Sequence, residues 1–115
     1  MSNKPNTKAD FTEFDGRVGQ AWSLHYRKQY EASTKEFRKL VDEWPDHIDA
    51  NYGLGLSLRC SGRDKEAAEI FRKVKGFVEA ELAKMPENPD RYQMLSKIVD
   101  QQLTLFINPA NLASN

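Results

Sequence analysis

Apolar residues recur every three or four positions along most of this chain, which is the spacing of one face of an α-helix. The segments with this spacing are separated by Pro45, Gly62 and the linker Pro86–Asp90, whose residue types end helices or form turns. The pattern predicts an all-α fold with five antiparallel helices. Their predicted ranges are about 15–27, 30–43, 47–60, 64–85 and 89–106.

The fourth predicted helix carries the longest apolar stripe. The stripe consists of Ala67, Phe71, Val74, Val78, Leu82 and Met85. Asp64 is expected to cap the start of this helix, and Asp46 the start of the third, because short polar side chains accept hydrogen bonds from the first free N–H groups.

The periodic region defines one helical domain between two unpatterned ends. Residues 1–13 are polar and lack a period, so they are expected to form a flexible N-terminal tail. The helical domain then covers residues 14–106, and residues 107–115 form a C-terminal tail. Phe11 and Phe14 are expected to dock onto the first helix.

Two stretches of the chain match each other at a spacing of 34 residues. Small residues align with small ones, and large apolar residues with large apolar ones. The aligned pairs are Ala21 with Gly55, Leu24 with Leu58, Ser33 with Ala67, Phe37 with Phe71, and Leu40 with Val74. This period is typical of a helix–turn–helix unit that buries its apolar face against the next unit. A third unit supplies only its first helix, displaced by 41 residues because the fourth helix is longer.

These residues resemble the tetratricopeptide repeat family. The second unit reads Asn51-x2-Leu54-Gly55-x2-Leu58, followed by Ala67-x3-Phe71. The resemblance covers about two and a half repeats and implies an α-solenoid. In that family the first helices of the repeats line a concave groove that holds a protein partner. It therefore implies a protein–protein interaction module that binds a peptide or helical segment of another protein.

Aromatic and aliphatic residues occupy the predicted groove positions. These residues are Val18, Trp22, His25, Tyr26, Tyr52, Leu56 and Arg59. Aromatic rings and arginine are frequent anchors of interfaces. The alternative is that these side chains pack against one another, or against Phe11 and Phe14.

The carboxylate clamp of chaperone-binding family members is absent from the sequence. Its lysine and asparagine positions hold Val18, Trp22 and Gly53. We therefore do not expect binding of the acidic C-termini of heat-shock chaperones.

Two alternative functions remain open at the level of sequence. Ile70 and Phe77 lie seven residues apart, off the main stripe of the fourth helix. They form either extra core beneath the fifth helix or the seam of a homodimer, and the seam would make the protein a structural homo-oligomer. The other alternative is a regulatory domain that binds a small ligand between repeats.

Composition narrows the remaining classes of partner and function. Seventeen basic residues balance seventeen acidic ones, so no nucleic-acid or membrane partner is expected. A single cysteine, Cys60, and the lack of an apolar targeting or spanning segment predict a cytoplasmic protein. His25, His47 and Cys60 do not pair at ligand spacing, so we expect no metal, no cofactor and no enzymatic activity.

Overall fold

The computed structural model describes residues 8–107, including the side chains of residues 12–106. This part of the chain forms five α-helices and contains no strand, which confirms the predicted all-α fold. The helices are α1 (Lys8–Tyr26), α2 (Tyr30–Glu43), α3 (Ile48–Cys60), α4 (Asp64–Ala83) and α5 (Asp90–Ile107).

Each helix packs against the next one along the chain, and α1 also contacts α3. The helix α3 therefore lies between α2 and α4. Among the described helices, α5 is in close backbone contact with α4 alone. The hairpin of α4 and α5 is also longer than the hairpin of α2 and α3. Its first helix, α4, has 20 residues, whereas α2 has 14.

Two phenylalanines mark the points where neighbouring helices approach most closely. Phe37 and Phe71 are fully buried, and they are the pair aligned by the 34-residue spacing. A Cβ atom at Gly55 would lie 2.7 Å from Cε1 of Phe71, and one at Gly53 would overlap the ring of Phe37. Only glycine leaves room for each ring at these two positions.

The core lies on the predicted stripes, although some stripe residues are not fully buried. Thirteen buried apolar residues form one cluster, to which all five helices contribute. Leu24, predicted to be core, is half-buried in the last turns of α1. Met85 is 87% exposed with φ of 53°, so the stripe of α4 ends at Leu82. The cause is Pro86, whose ring disfavours helical backbone at the residue before it.

The N-terminal boundary of the helical domain lies earlier than predicted. Residues 8–13, expected in a flexible tail, belong to α1. The apolar anchor near this end is Phe14, which is 4% exposed and packs against Trp44 and His47 at ring-centroid distances of 5.4 and 5.1 Å. Residues 1–7, residues 108–115 and the side chain of Phe11 lie outside the described part.

The helix starts differ from the predicted caps. The N-cap of α3 is His47, whose Nδ1 accepts the N–H of Ala50 at 3.0 Å. Asp46 precedes that position. Asp64 is the first residue of α4 rather than its cap, and its carboxylate there favours the helix through the helix dipole.

A buried amide fixes the turn between α2 and α3. Asn51 is fully buried, and its Nδ2 donates to the carbonyl oxygens of Pro45 and His47 at 3.0 and 2.8 Å. The turn also holds Trp44, whose ring contacts His47 at 4.8 Å. These contacts set the angle at which α3 leaves α2.

Candidate functional site

The contact between α1 and α3 brings six of the seven predicted groove residues onto one surface, which we call the aromatic face. It consists of Trp22, His25, Tyr26, Tyr52, Leu56 and Arg59. The seventh residue, Val18, is only 5% exposed and belongs to the core, so its predicted place in the groove is wrong. Val18 lies one turn before Trp22 on the side of α1 that carries Phe14 and Ala21, both buried.

Trp22 links the aromatic face to the core. Its ring meets Phe37 edge-on at 5.1 Å, and its Nε1 donates to Oδ2 of Asp49 at 3.2 Å. On its other side it stacks with Tyr26 at 5.7 Å and an interplanar angle of 22°. Trp22 is therefore held in one orientation and cannot be treated as a surface residue alone.

Tyr26 is the exposed member of the aromatic face. It is 75% exposed, and besides Trp22 it contacts the ring of His25 at 5.7 Å. An aromatic ring held in a stack but open to solvent presents apolar area that is already ordered.

Tyr52 joins α3 to the same stack. Its ring lies 6.3 Å from that of Trp22 and 6.0 Å from that of Phe71. Burial raises the pKa of Tyr52, which outweighs the opposite effect of the nearby Arg59 charge. The hydroxyl is therefore neutral near pH 7 and can donate a hydrogen bond.

His25 belongs to a polar network between α1, α2 and α3. Its Nδ1 lies 3.1 Å from Oγ of Ser57, which accepts a 2.8 Å hydrogen bond from Ser33. Both serines are fully buried. Burial, and to a smaller extent the charge of Arg59, lower the pKa of His25. The ring is therefore neutral near pH 7 and adds no charge to the face.

Arg59 is the charged member of the aromatic face and connects it to α5. The side chain is half-buried, and its Nη1 donates to Oε1 of Gln102. Its charge acts on His25 of α1 and on Tyr52 of α3. Arg59 therefore lies where side chains of three helices converge.

The two residues of the predicted dimer seam are only partly exposed. Ile70 and Phe77 are both half-buried, and Ile70 packs against the core. A different apolar surface, not among the predicted sites, lies on α5. Met94 and Leu105 on α5 are 62% and 43% exposed, and half-buried Ile98 lies between them along the same side. Their spacing of four and seven residues is helical and was available as a signal.

Other surfaces in residues 8–107 show no comparable grouping. A cavity of about 510 Å³ lies between α2 and the start of α4, and the ion pairs Arg38–Glu66 and Arg63–Glu31 join those two helices beside it. A second, of about 580 Å³, is lined by the first turns of α4 and by Phe106. No cluster of three or more metal-ligating side chains occurs in the described residues. Nor does any helix within them have the length and apolar character to cross a membrane.

A scan against family models found no match, and searches of curated proteins and of solved structures found no similar chain. The resemblance to tetratricopeptide repeats therefore rests on the residues themselves.

Proposed function

We propose that this protein is a tetratricopeptide-like helical array, an α-solenoid, that binds a peptide or helical segment of a partner protein on its aromatic face. The observation that carries the proposal is the stack of Tyr26 on Trp22, in which an ordered aromatic ring is 75% exposed to solvent. No catalytic role, cofactor or metal forms part of the proposal, and the cytoplasm is the proposed compartment.

The packing of the helices supports an array of repeats. Phe37 of α2 and Phe71 of α4 occupy aligned positions and are buried to the same extent. The contact between α1 and α3 is the one expected between first helices of successive repeats. The long α4 is the departure from a regular array, since α5 makes no equivalent backbone contact with α3 among the described residues.

The composition of the aromatic face supports a protein partner. Tyrosine, tryptophan and arginine are enriched at interfaces because they bury a large area and can also form hydrogen bonds. Tyr26, Tyr52 and Arg59 are such residues on one surface. The rings are already stacked in the free protein, so binding would lose little side-chain entropy.

Quantitative affinity enrichment with three forms of the protein tests the proposal. Tyr26→Ala removes the exposed ring, while Met94→Ala removes an apolar side chain of similar exposure outside the face. A specific partner should be captured by the wild type and by Met94→Ala, and lost with Tyr26→Ala. If every captured protein is retained by Tyr26→Ala, the aromatic face is not the binding surface.

A structural homo-oligomer is the second candidate function. Exposed Met94 and Leu105 on α5 favour it, because α5 has another described helix on one side only. Sedimentation velocity separates the two proposals, since only the homo-oligomer requires a species larger than the monomer.

A further inference from the structure

Arg59 has unused hydrogen-bonding capacity on the aromatic face. A guanidinium has five N–H donors, and in the described structure Arg59 uses one, to Gln102. The side chain is half-buried, so its charge is partly removed from water. A charge in such a position interacts more strongly with an opposite charge than one in open solvent does.

No carboxylate of the described residues neutralises Arg59. The ion pairs of the described residues are formed by other arginine and lysine side chains, and Gln102 is a neutral amide. Asp100, two residues before Gln102 on α5, pairs with Lys75 at 2.6 Å. Asp49 binds the indole of Trp22 and lies ten residues before Arg59, about 15 Å along α3.

The groups around Arg59 are neutral and aromatic. The charge of Arg59 lowers the pKa of His25 and opposes the rise in the pKa of Tyr52, and both side chains are uncharged near pH 7. Tyr26 lies within range of Tyr52 and is open to solvent. The surroundings therefore combine one positive group with apolar ring area.

We propose that the partner segment presents a carboxylate to Arg59 and an adjacent apolar or aromatic side chain to Tyr26 and Tyr52. The inference rests on the proposed function and names the chemistry of its ligand. A guanidinium binds a carboxylate through two parallel hydrogen bonds, which fixes the orientation of the bound segment as well as adding affinity. The lysine and asparagine positions of the carboxylate clamp play no part, since they hold Val18, Trp22 and Gly53 here.

A single carboxylate fits the face better than a phosphate group. A phosphorylated side chain carries nearly two negative charges and is usually bound by a cluster of arginines. The aromatic face offers one permanent positive charge, because His25 is neutral. One arginine beside aromatic rings therefore suits an aspartate, a glutamate or a terminal carboxylate.

The probe for the experiment is a displayed library of random peptides, selected against the wild-type protein. The selected sequence is synthesised with its acid intact and with that acid changed to the amide. Binding of both peptides to the wild type, Arg59→Gln, Arg59→Lys and Tyr26→Ala is then measured by fluorescence polarisation. Gln102→Ala is the matched control, because it removes the hydrogen bond to α5 but leaves the guanidinium in place.

The expected result is an acidic residue next to an apolar or aromatic residue in the selected peptides. Arg59→Gln should weaken binding by about tenfold or more, because it removes a charge-assisted hydrogen bond. The amide peptide should bind the wild type as weakly, and Arg59→Gln should weaken it little further. Arg59→Lys should be intermediate and Gln102→Ala close to wild type.

Other outcomes separate the two proposals. Binding that is lost with Tyr26→Ala but unchanged in Arg59→Gln supports the aromatic face and overturns the carboxylate inference. Equal binding to all variants, or no selected peptide at all, overturns the proposed function together with the inference. Selection of non-acidic peptides that still require Arg59 also overturns the carboxylate inference. Circular dichroism of Arg59→Gln excludes loss of the fold as the cause.

Discussion

The ring of Phe37 in α2 occupies the space that a side chain at Gly53 in α3 would need. The same relation links Phe71 of α4 with Gly55 of α3. One phenylalanine from each neighbouring helix therefore packs against a glycine of α3. The two glycines are two residues apart and face opposite sides of α3. This double contact joins the two hairpins into one core.

Gly53→Ala is expected to destabilise the protein. The new methyl group would overlap the buried Phe37 ring, and overpacking of this kind costs about 1–3 kcal/mol. The better helix propensity of alanine, about 1 kcal/mol, offsets only part of that. The free energy of unfolding in urea measures the change.

Gly76→Ala is the matched control for this prediction. Gly76 also lies inside a helix, but nothing lies within 4 Å of its added Cβ. This variant should be more stable than the wild type by about 0.5–1 kcal/mol. Equal stabilisation by both substitutions would contradict the close approach of α2 and α3.

Replacing Trp22 and Tyr26 should have unequal effects on stability. The predicted groove positions of Trp22 and Tyr52 imply that a variant with alanine at both positions remains folded. The contacts of Trp22 with Phe37 and Asp49, and of Tyr52 with Phe71, argue against using these residues as neutral probes. Trp22→Ala should lower the free energy of unfolding by about 2–4 kcal/mol, since it removes a large side chain packed on the core.

Tyr26→Ala should change the same free energy by less than about 0.5 kcal/mol, as for other surface substitutions. Its ring is 75% exposed and rests on Trp22 without reaching the core. Urea titration of the two single variants provides the comparison. Similar losses for both would mean that Tyr26 is structural, and it would then fail as a test of binding.

The helices were predictable from sequence because their signals are local. The spacing of apolar residues, Pro45 and Gly62 gave α2 its observed bounds and α3 and α5 theirs to within one residue at each end. The start of α1 was not predictable in this way. Phe14 is buried by Trp44 and His47, which lie about 30 residues later in the chain. A contact between residues so far apart leaves no signal in the local sequence pattern.

The candidate site was predictable in part for the same reason. Helical positions placed Trp22, Tyr26 and Tyr52 on one side of their helices, and the structure brings these rings together. Helical position alone could not assign Val18 to the groove or to the core, because Val18 lies at the border between these two sides of α1. The contact between Arg59 and Gln102 joins residues 43 apart and depends on the length of α4, so the sequence contained no direct signal for it.

Stability should fall as the pH is lowered from about 7.5 to 5.5, a range that includes the ordinary histidine pKa of about 6.5. The pKa of His47 is lowered chiefly by burial, and Asp15, Asp46 and Asp49 oppose this effect. The pKa of His25 is lowered as well. The unfolded chain therefore takes up protons first as the pH falls, which favours unfolding. The stability that the two neutral histidines contribute is fully present above the histidine pKa of the unfolded chain. It is lost as the pH falls through that pKa towards the lower pKa of the folded protein.

His47→Asn tests which histidine dominates this dependence. Asparagine is a favourable N-cap and does not titrate, so α3 keeps an acceptor for the Ala50 N–H. The variant should be less stable at every pH because it loses the ring contacts with Phe14 and Trp44, but its stability should vary less with pH. An unchanged slope from urea titrations at several pH values would assign the effect to His25.

Self-association should use α5 rather than the Ile70–Phe77 surface. Met94 and Leu105 are the exposed large apolar residues of α5, while Ile70 packs on the core and Phe77 is half-buried. One helix face buries less than the roughly 1,200 Å² of a stable interface, so a weak dimer is expected at high micromolar concentration.

Sedimentation equilibrium should show this dimer for the wild type and for Phe77→Glu. It should show only monomer for Met94→Glu, because a charge on an apolar seam opposes its burial. A dimer that survives Met94→Glu but not Phe77→Glu would place the seam on α4. A wild type that stays monomeric would remove the homo-oligomer as a function and leave the aromatic face as the remaining candidate.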